Sequence, residues 1–131
     1  MNLFTKIFNI GNVLPSKQVR QCLLLQFPKA RSVEWTDHRD YWEAIFYDKK
    51  VEKIARIDNR GKLIEYRVNL TGDAIPDTIS KSLNNNHEIM NCIAIYTSGS
   101  IQYELIVRDN DLTRSLIILD QAGQIINEEK L

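Results

Sequence analysis

The chain has little of what usually marks a chemical site. Its two cysteines, Cys22 and Cys92, form no C-x-x-C pair and have no histidine at ligand spacing, which argues against a disulfide framework or a structural zinc. Buried, free thiols are the expected state of both. Only five glycines occur, with no G-x-G-x-x-G and no Walker-type loop, so nucleotide phosphates lack their usual backbone cradle. Net charge is also absent. Seventeen basic and 17 acidic residues cancel, leaving no long-range field to draw in nucleic acid or an anionic membrane. No stretch approaches the roughly 18 to 20 apolar residues of a membrane span. The opening MNLFTKIFNIGNV sets Leu3, Phe4, Ile7, Phe8 and Ile10 along one side of a short helix. Lys6 and Asn9 interrupt the apolar core of about seven residues that a secretory signal requires. The sequence as written thus carries no export signal, which points to the cytoplasm.

What is present is an alternation of polar and apolar residues. At 131 residues the chain fits one domain able to bury a real core. Pro15 followed by SKQVRQCLLLQF reads as a helix, with Pro15 in its first turn, Val19, Cys22 and Leu23 on one face with Gln26 or Phe27, and Pro28 as its stop. ARSVEWTD and YWEAIFYD alternate with the period of half-buried strands, separated by the polar turn TDHRD. The pair Lys49-Lys50 turns the chain into VEKIARID, and Asn59 to Gly61 turn it into KLIEYRVN.

From Pro76 the programme starts again. IPDTISKSLNNN reads as a second helix with Ile75, Ile79 and Leu83 at four-residue spacing, an Asn run to end it and His87 as a cap on its last carbonyls. The strands EIMNCIAIYT, IQYELIVRD, LTRSLIILD and QIINE follow, with TSGS as a hairpin turn. Pro15, Trp42, Glu43 and Asp48 align with Pro76, Tyr103, Glu104 and Asp109 at one offset. Asp58 and Gly61 align with Asp120 and Gly123 at an offset one residue longer, as expected if one hairpin turn differs in length. The expected fold is therefore α+β: two tandem helix plus four-stranded antiparallel units forming one continuous sheet, with the helices packed on one face. Residues 1–13 are an N-terminal extension, and the domain 14–131 holds repeats at 14–70 and 75–131.

With FPKARSVEW, YWEAIFYD, the IDNRGKLIEY hairpin and IPDTISKSL in view, the chain resembles the PepSY-like proteins that share the fold of beta-lactamase-inhibitor proteins. The resemblance spans about residues 14 to 129 and rests on scaffold patterns. It implies a small ligand-binding or protein-inhibiting module of a kind commonly exported in bacteria, which points to the periplasm if the chain has been trimmed. It carries over no catalytic residue.

The residues themselves offer little chemistry. Asp37, His38, Arg39 and Asp40 suit local turn hydrogen bonding, and four consecutive residues do not converge on one point. No histidine accompanies Ser16, Ser98, Ser100 or Ser115 in a nucleophile arrangement. No cofactor or metal is expected, and the reading is of a non-enzyme; a small enzyme using Asp37, His38 or Asp40 is the least supported alternative.

The informative feature is a surface. If the helices cover one face of the sheet, Val33, Trp35, Trp42, Ala44, Phe46, Tyr103, Leu105 and Val107 point toward them. The other face then shows Glu34, Tyr41, Glu43, Ile45, Tyr47 and Arg56 from the first half, and Glu104, Ile106, Arg108, Leu116 and Ile118 from the second. Aromatic and Arg side chains supply much of the energy of protein interfaces, and large apolar patches tend to mark binding. This face is the candidate site for a protein or peptide partner, or for pairing with a second copy of the chain.

Overall fold

The computed structural model describes residues 14–131. The helical reading of Leu3 to Ile10 lies outside the described residues.

Helix α1 (Lys17–Gln26) begins where Ser16 turns its hydroxyl inward to accept the Val19 N–H at 3.3 Å. Pro15 therefore sits before the cap, two positions ahead of the first helical residue and outside the first turn that the sequence pattern assigns to it. Val19, Cys22 and Leu23 are buried, and the further core side chain on this face is Phe27 while Gln26 stays exposed. Phe27 is the C-cap, its N–H donating to Leu23 O at 2.7 Å, and Pro28 follows.

Eight strands come next: β1 (Arg31–Asp37), β2 (Tyr41–Asp48), β3 (Val51–Asp58), β4 (Leu63–Leu70), β5 (Glu88–Thr97), β6 (Ser100–Arg108), β7 (Arg114–Asp120) and β8 (Ile125–Lys130). They lie side by side in sequence order as one antiparallel sheet, so every connection but one is a hairpin. The exception is β4 to β5, which holds a 3-10 turn at Gly72–Ala74 and helix α2 (Asp77–Ser80).

Turn chemistry recurs along the meander. Asp58 N–H donates to Lys62 O at 2.8 Å, Gly61 N–H to Asp58 O at 3.0 Å, and Asp58 Oδ1 accepts from the Arg60 and Lys62 N–H groups. Asp120 repeats each of these bonds with Gln124, Gly123 and Ala122. Asp109 does so with Thr113, Leu112 and Asp111. All three are three-residue hairpin loops whose last position is left-handed, at φ +89 in Gly61 and Gly123 and +64 in Leu112. The β2–β3 turn is shorter, with only Lys49 and Lys50 between its strands, both left-handed at φ +52 and +70. The extra residue of the longer offset thus lies in the β6–β7 turn.

The two glycines do more than permit a turn. A Cβ on Gly61 would stand 2.9 Å from Gln18 O in α1, and one on Gly123 would stand 2.7 Å from Thr78 O in α2. In each half the hairpin presses its glycine against the helix backbone, a contact that no larger residue permits.

The helices cover one face, where two core clusters form. The first joins Val19, Cys22, Leu23 and Phe27 to Ala44, Phe46, Ala55 and Ile57. The second gathers Ile79, Cys92, Ala94, Tyr103, Leu105, Val107, Ile117 and Leu119. Between them Tyr66 of β4 stacks flat on Tyr96 of β5, ring centroids 4.5 Å apart, and Phe27 meets Tyr66 edge-on at 5.1 Å. Both cysteines are free and buried, one in each cluster.

Two expectations for the second half need correction. IPDTISKSLNNN forms a single helical turn, not a helix extending to Leu83. Ser80 donates its hydroxyl to the Asp77 carbonyl and Ser82 to that of Ile79, local bonds that compete with helix continuation, and β-branched Thr78 and Ile79 give it little propensity. Ile79 alone is fully buried, while Ile75 and Leu83 are half-buried around it. His87 caps no helix carbonyl; its Nδ1 lies 2.6 Å from Asn84 Oδ1 and its N–H donates to Asn84 O, closing a turn into β5.

Candidate functional site

The opposite face of the sheet is covered by no described element. Strict alternation along each strand puts the eleven candidate side chains there, and strand register decides which of them meet. Glu43, Arg56 and Glu65 are cross-strand partners on β2, β3 and β4, and Glu104 lies opposite Ile93 and Ile118. The charges form one alternating ladder. Arg56 Nε donates to Glu43 Oε2 at 3.1 Å and its Nη1 lies 3.7 Å from Glu65 Oε1. Arg67 Nε donates to Glu65 Oε2 at 2.8 Å, and its Nη1 reaches across β5 to Glu104 Oε2 at 3.6 Å. His38 stands at the near end, Nε2 3.9 Å from Glu43 Oε1, and stacks on Tyr41 at 4.8 Å, with the Arg56 guanidinium 5.6 Å from the same ring. At the far margin Arg108 donates to Glu88 at 2.7 Å.

Glu65 and Arg67, the middle of this ladder, were missing from the sequence-level set. LIEYRVNL alternates, so its outward positions were readable, but their pairing depends on strand register, which no single strand reveals. Ile54, Ile93 and Ile95 were missed for the same reason. They lie on this face opposite Ile45 and Arg67, Glu104 and Asn69, and Gln102 and Arg67 respectively.

With them the apolar part of the face becomes a patch. Ile93 and Ile95 on β5, Ile106 on β6 and Leu116 and Ile118 on β7 are neighbours, all half-buried, and Ile106 is the cross-strand partner of Leu116. Ile45 and Ile54 form a smaller pair on the other side of Arg67. Tyr47 is the most exposed aromatic among the described residues at 44%, and its hydroxyl donates to Glu52 Oε2 at 3.2 Å. Glu34 is exposed on edge strand β1, opposite Ile45.

Side-chain chemistry elsewhere is quiet. Asp37 Oδ1 accepts the Arg39 N–H at 2.8 Å and Asp40 N–H donates to His38 O, so TDHRD is occupied by its own turn. No group of three or more His, Cys, Asp or Glu among the described residues is placed to hold a metal ion. Burial pushes the Cys92 thiol up to about 11 and raises that of Cys22, which keeps both as unreactive thiols at neutral pH. The hydrogen bond to Glu52, followed by the charge of that carboxylate, raises the Tyr47 phenol. No described helix is long and apolar enough to cross a membrane.

An eight-stranded antiparallel meander with helices on one side and a second face covered by no described element is an α+β architecture, and solved structures share it. A BLIP-like protein from Bacteroides fragilis superposes with a TM-score of 0.80 over 95% of this chain and 92% of its own, at 15% identity. A DUF2874 family protein from Bacteroides uniformis gives 0.78 over 89% and 90%, at 17% identity. A protein from Bacteroides eggerthii, described as a candidate periplasmic protein, gives 0.78 over 90% of each chain at 12% identity. The fold is BLIP-like. The chain matches no family model and no curated protein.

Proposed function

We propose that the chain is a non-enzymatic binding module that holds a protein or peptide on the open face of its sheet. One observation carries this reading: the aliphatic patch of Ile93, Ile95, Ile106, Leu116 and Ile118 adjoins a charged ladder in which three carboxylates are already paired with two guanidinium groups. Glu43, Arg56 and Glu104 are engaged within the ladder, so the patch supplies contact area, and Glu104, which stands between Ile93 and Ile118, is already paired with Arg67. The BLIP-like neighbours support the same reading at the level of fold. The turn bond of the Asp37 carboxylate to the Arg39 N–H supports the same reading.

The domain is read as two copies of one unit, at 14–70 and 75–131, following an extension at 1–13. Support comes from the matched Asp-led turns at Asp58 and Asp120 and from the matched glycines that touch α1 and α2. The PepSY resemblance belongs to this reading, and the neighbour from Bacteroides eggerthii favours the periplasm over the cytoplasm. Tyr47→Asp with Ile106→Asp is expected to abolish capture of a partner in a pull-down while lowering the melting temperature by only a few degrees. Undiminished capture would count against the sheet face.

A second reading has a specific observation in its favour. The alternating signs of Arg56, Glu65, Arg67 and Glu104 are self-complementary, so a two-fold axis between Glu65 and Arg67 would set each charge against its opposite on a second copy. Light scattering separates the two readings, since a monomer at high protein concentration eliminates self-association.

A further inference from the structure

The β2–β3 hairpin tip is built unlike the other turns. Lys49 and Lys50 both occupy left-handed backbone, where Asn-Gly is the usual solution and a long side chain is strained. Arg31 is the cross-strand partner of Tyr47 at this end of the sheet. Lys29 stands near enough to Asp48 to help hold its carboxyl below the usual range, behind the stronger effect of the Lys53 hydrogen bond. Lys29, Arg31, Lys49 and Lys50 are all exposed, and none has an ion-pair partner among the described residues. Of the nearby carboxylates, Asp48 is paired with Lys53 Nζ at 2.8 Å, while Glu52, which accepts from the Tyr47 hydroxyl, and Glu34 keep their charge, so the four cations outnumber two free anions. Beside the cations, Tyr47 and Val51 are 44% and 39% exposed. The β6–β7 turn at the same end of the sheet carries Asp109, Asn110 and Asp111, so cationic tips are not a general device of this scaffold.

We infer that the β2–β3 tip, with Lys29, Arg31, Lys49 and Lys50 around exposed Tyr47 and Val51, is a docking point for an acidic segment of a protein partner. Charge complementarity selects the acidic character, in a molecule whose overall net charge is zero. Tyr47 lies on the open face, so a protein seated there extends onto the tip. The choice of a protein over another polyanion rests on the sheet-face reading, while the anion preference does not. The strain at Lys49 and Lys50 is retained because these positions aim two cations outward, where Asn-Gly would stabilise the hairpin but leave it neutral.

The test uses a labelled oligoglutamate peptide, with oligoglutamine as the neutral control, followed by fluorescence anisotropy at low salt. The full chain is expected to prefer oligoglutamate and to release it as salt rises. Lys49→Asn with Lys50→Gly should weaken binding about 10-fold while raising the melting temperature, a combination that a structural role cannot produce. Lys29→Gln with Arg31→Gln should weaken it without the stabilisation. Arg60→Gln with Lys62→Gln, which removes two exposed cations at the opposite end of the sheet, should leave peptide binding unchanged, and failure of the sheet-face reading is seen separately in the partner pull-down. Equal binding of the two peptides, undiminished binding by both double variants, or binding to phosphatidylglycerol vesicles with none to the peptide would overturn the inference.

Discussion

Gly61 and Gly123 show how much a single position carries in this fold. The Asp-x-x-Gly pattern announced a left-handed turn residue, and both glycines have φ +89. Their second constraint, a helix carbonyl within 2.9 and 2.7 Å of the missing Cβ, was not legible because it depends on where the hairpin docks. Gly61→Ala or Gly123→Ala should cost about 2–3 kcal/mol in urea unfolding, from φ strain plus displaced helix backbone. Gly99→Ala, with open space around it, should cost about 1 kcal/mol. Leu112 occupies the equivalent left-handed position at φ +64 with 69% of its surface exposed, so Leu112→Gly should raise the urea midpoint by relieving strain. Asp58 and Asp48 set the acid limit. Backbone N–H groups, first that of Lys62, hold the Asp58 carboxyl below its ordinary 3.8, and the Lys53 hydrogen bond does the same for Asp48. A depressed folded value means the stabilisation is complete above the unfolded pKa and is lost as pH falls through the folded one. The melting temperature should hold from neutral pH to about 5 and drop below about 4, less steeply in Asp58→Asn.

Among the elements, strand identity and facing were readable because alternation is a property of each strand alone. Trp42, Ala44 and Phe46 face the helices while Tyr41, Glu43, Ile45 and Tyr47 face away, as period two requires. Pairing between strands was not readable, so the contacts that join Glu65, Arg67, Ile54, Ile93 and Ile95 to the rest of the face emerge only from the register, although alternation alone puts them there. The length of α2 was misread because four-residue apolar spacing at Ile75, Ile79 and Leu83 imitates a helix that Ser80 and Ser82 interrupt. The β4–β5 seam is where the two core clusters meet, and the Tyr66–Tyr96 stack lies on it. Tyr96→Ala should therefore destabilise by about 2–3 kcal/mol, and Tyr96→Phe by much less, since stacking area and not the hydroxyl is at stake. On the other face, a double-mutant cycle of Glu65→Gln with Arg67→Gln should show coupling of about 0.5–1 kcal/mol that shrinks as salt rises.

At the scale of the whole molecule, one face of the sheet is used up by two core clusters and the other carries an ion-paired ladder and an aliphatic patch. The first face explains stability: Phe46→Ala or Leu105→Ala, one from each cluster, should each cost about 3–5 kcal/mol. The second face adds only modest ion pairing to stability, and its aliphatic patch is the argument for its use in binding. Photo-crosslinking tests this most directly, with a benzophenone side chain placed at Tyr47 on the open face or at Leu25, 80% exposed on α1. Capture of a partner protein from position 47, with none from position 25, is the predicted result. Capture from position 25 alone would contradict the account.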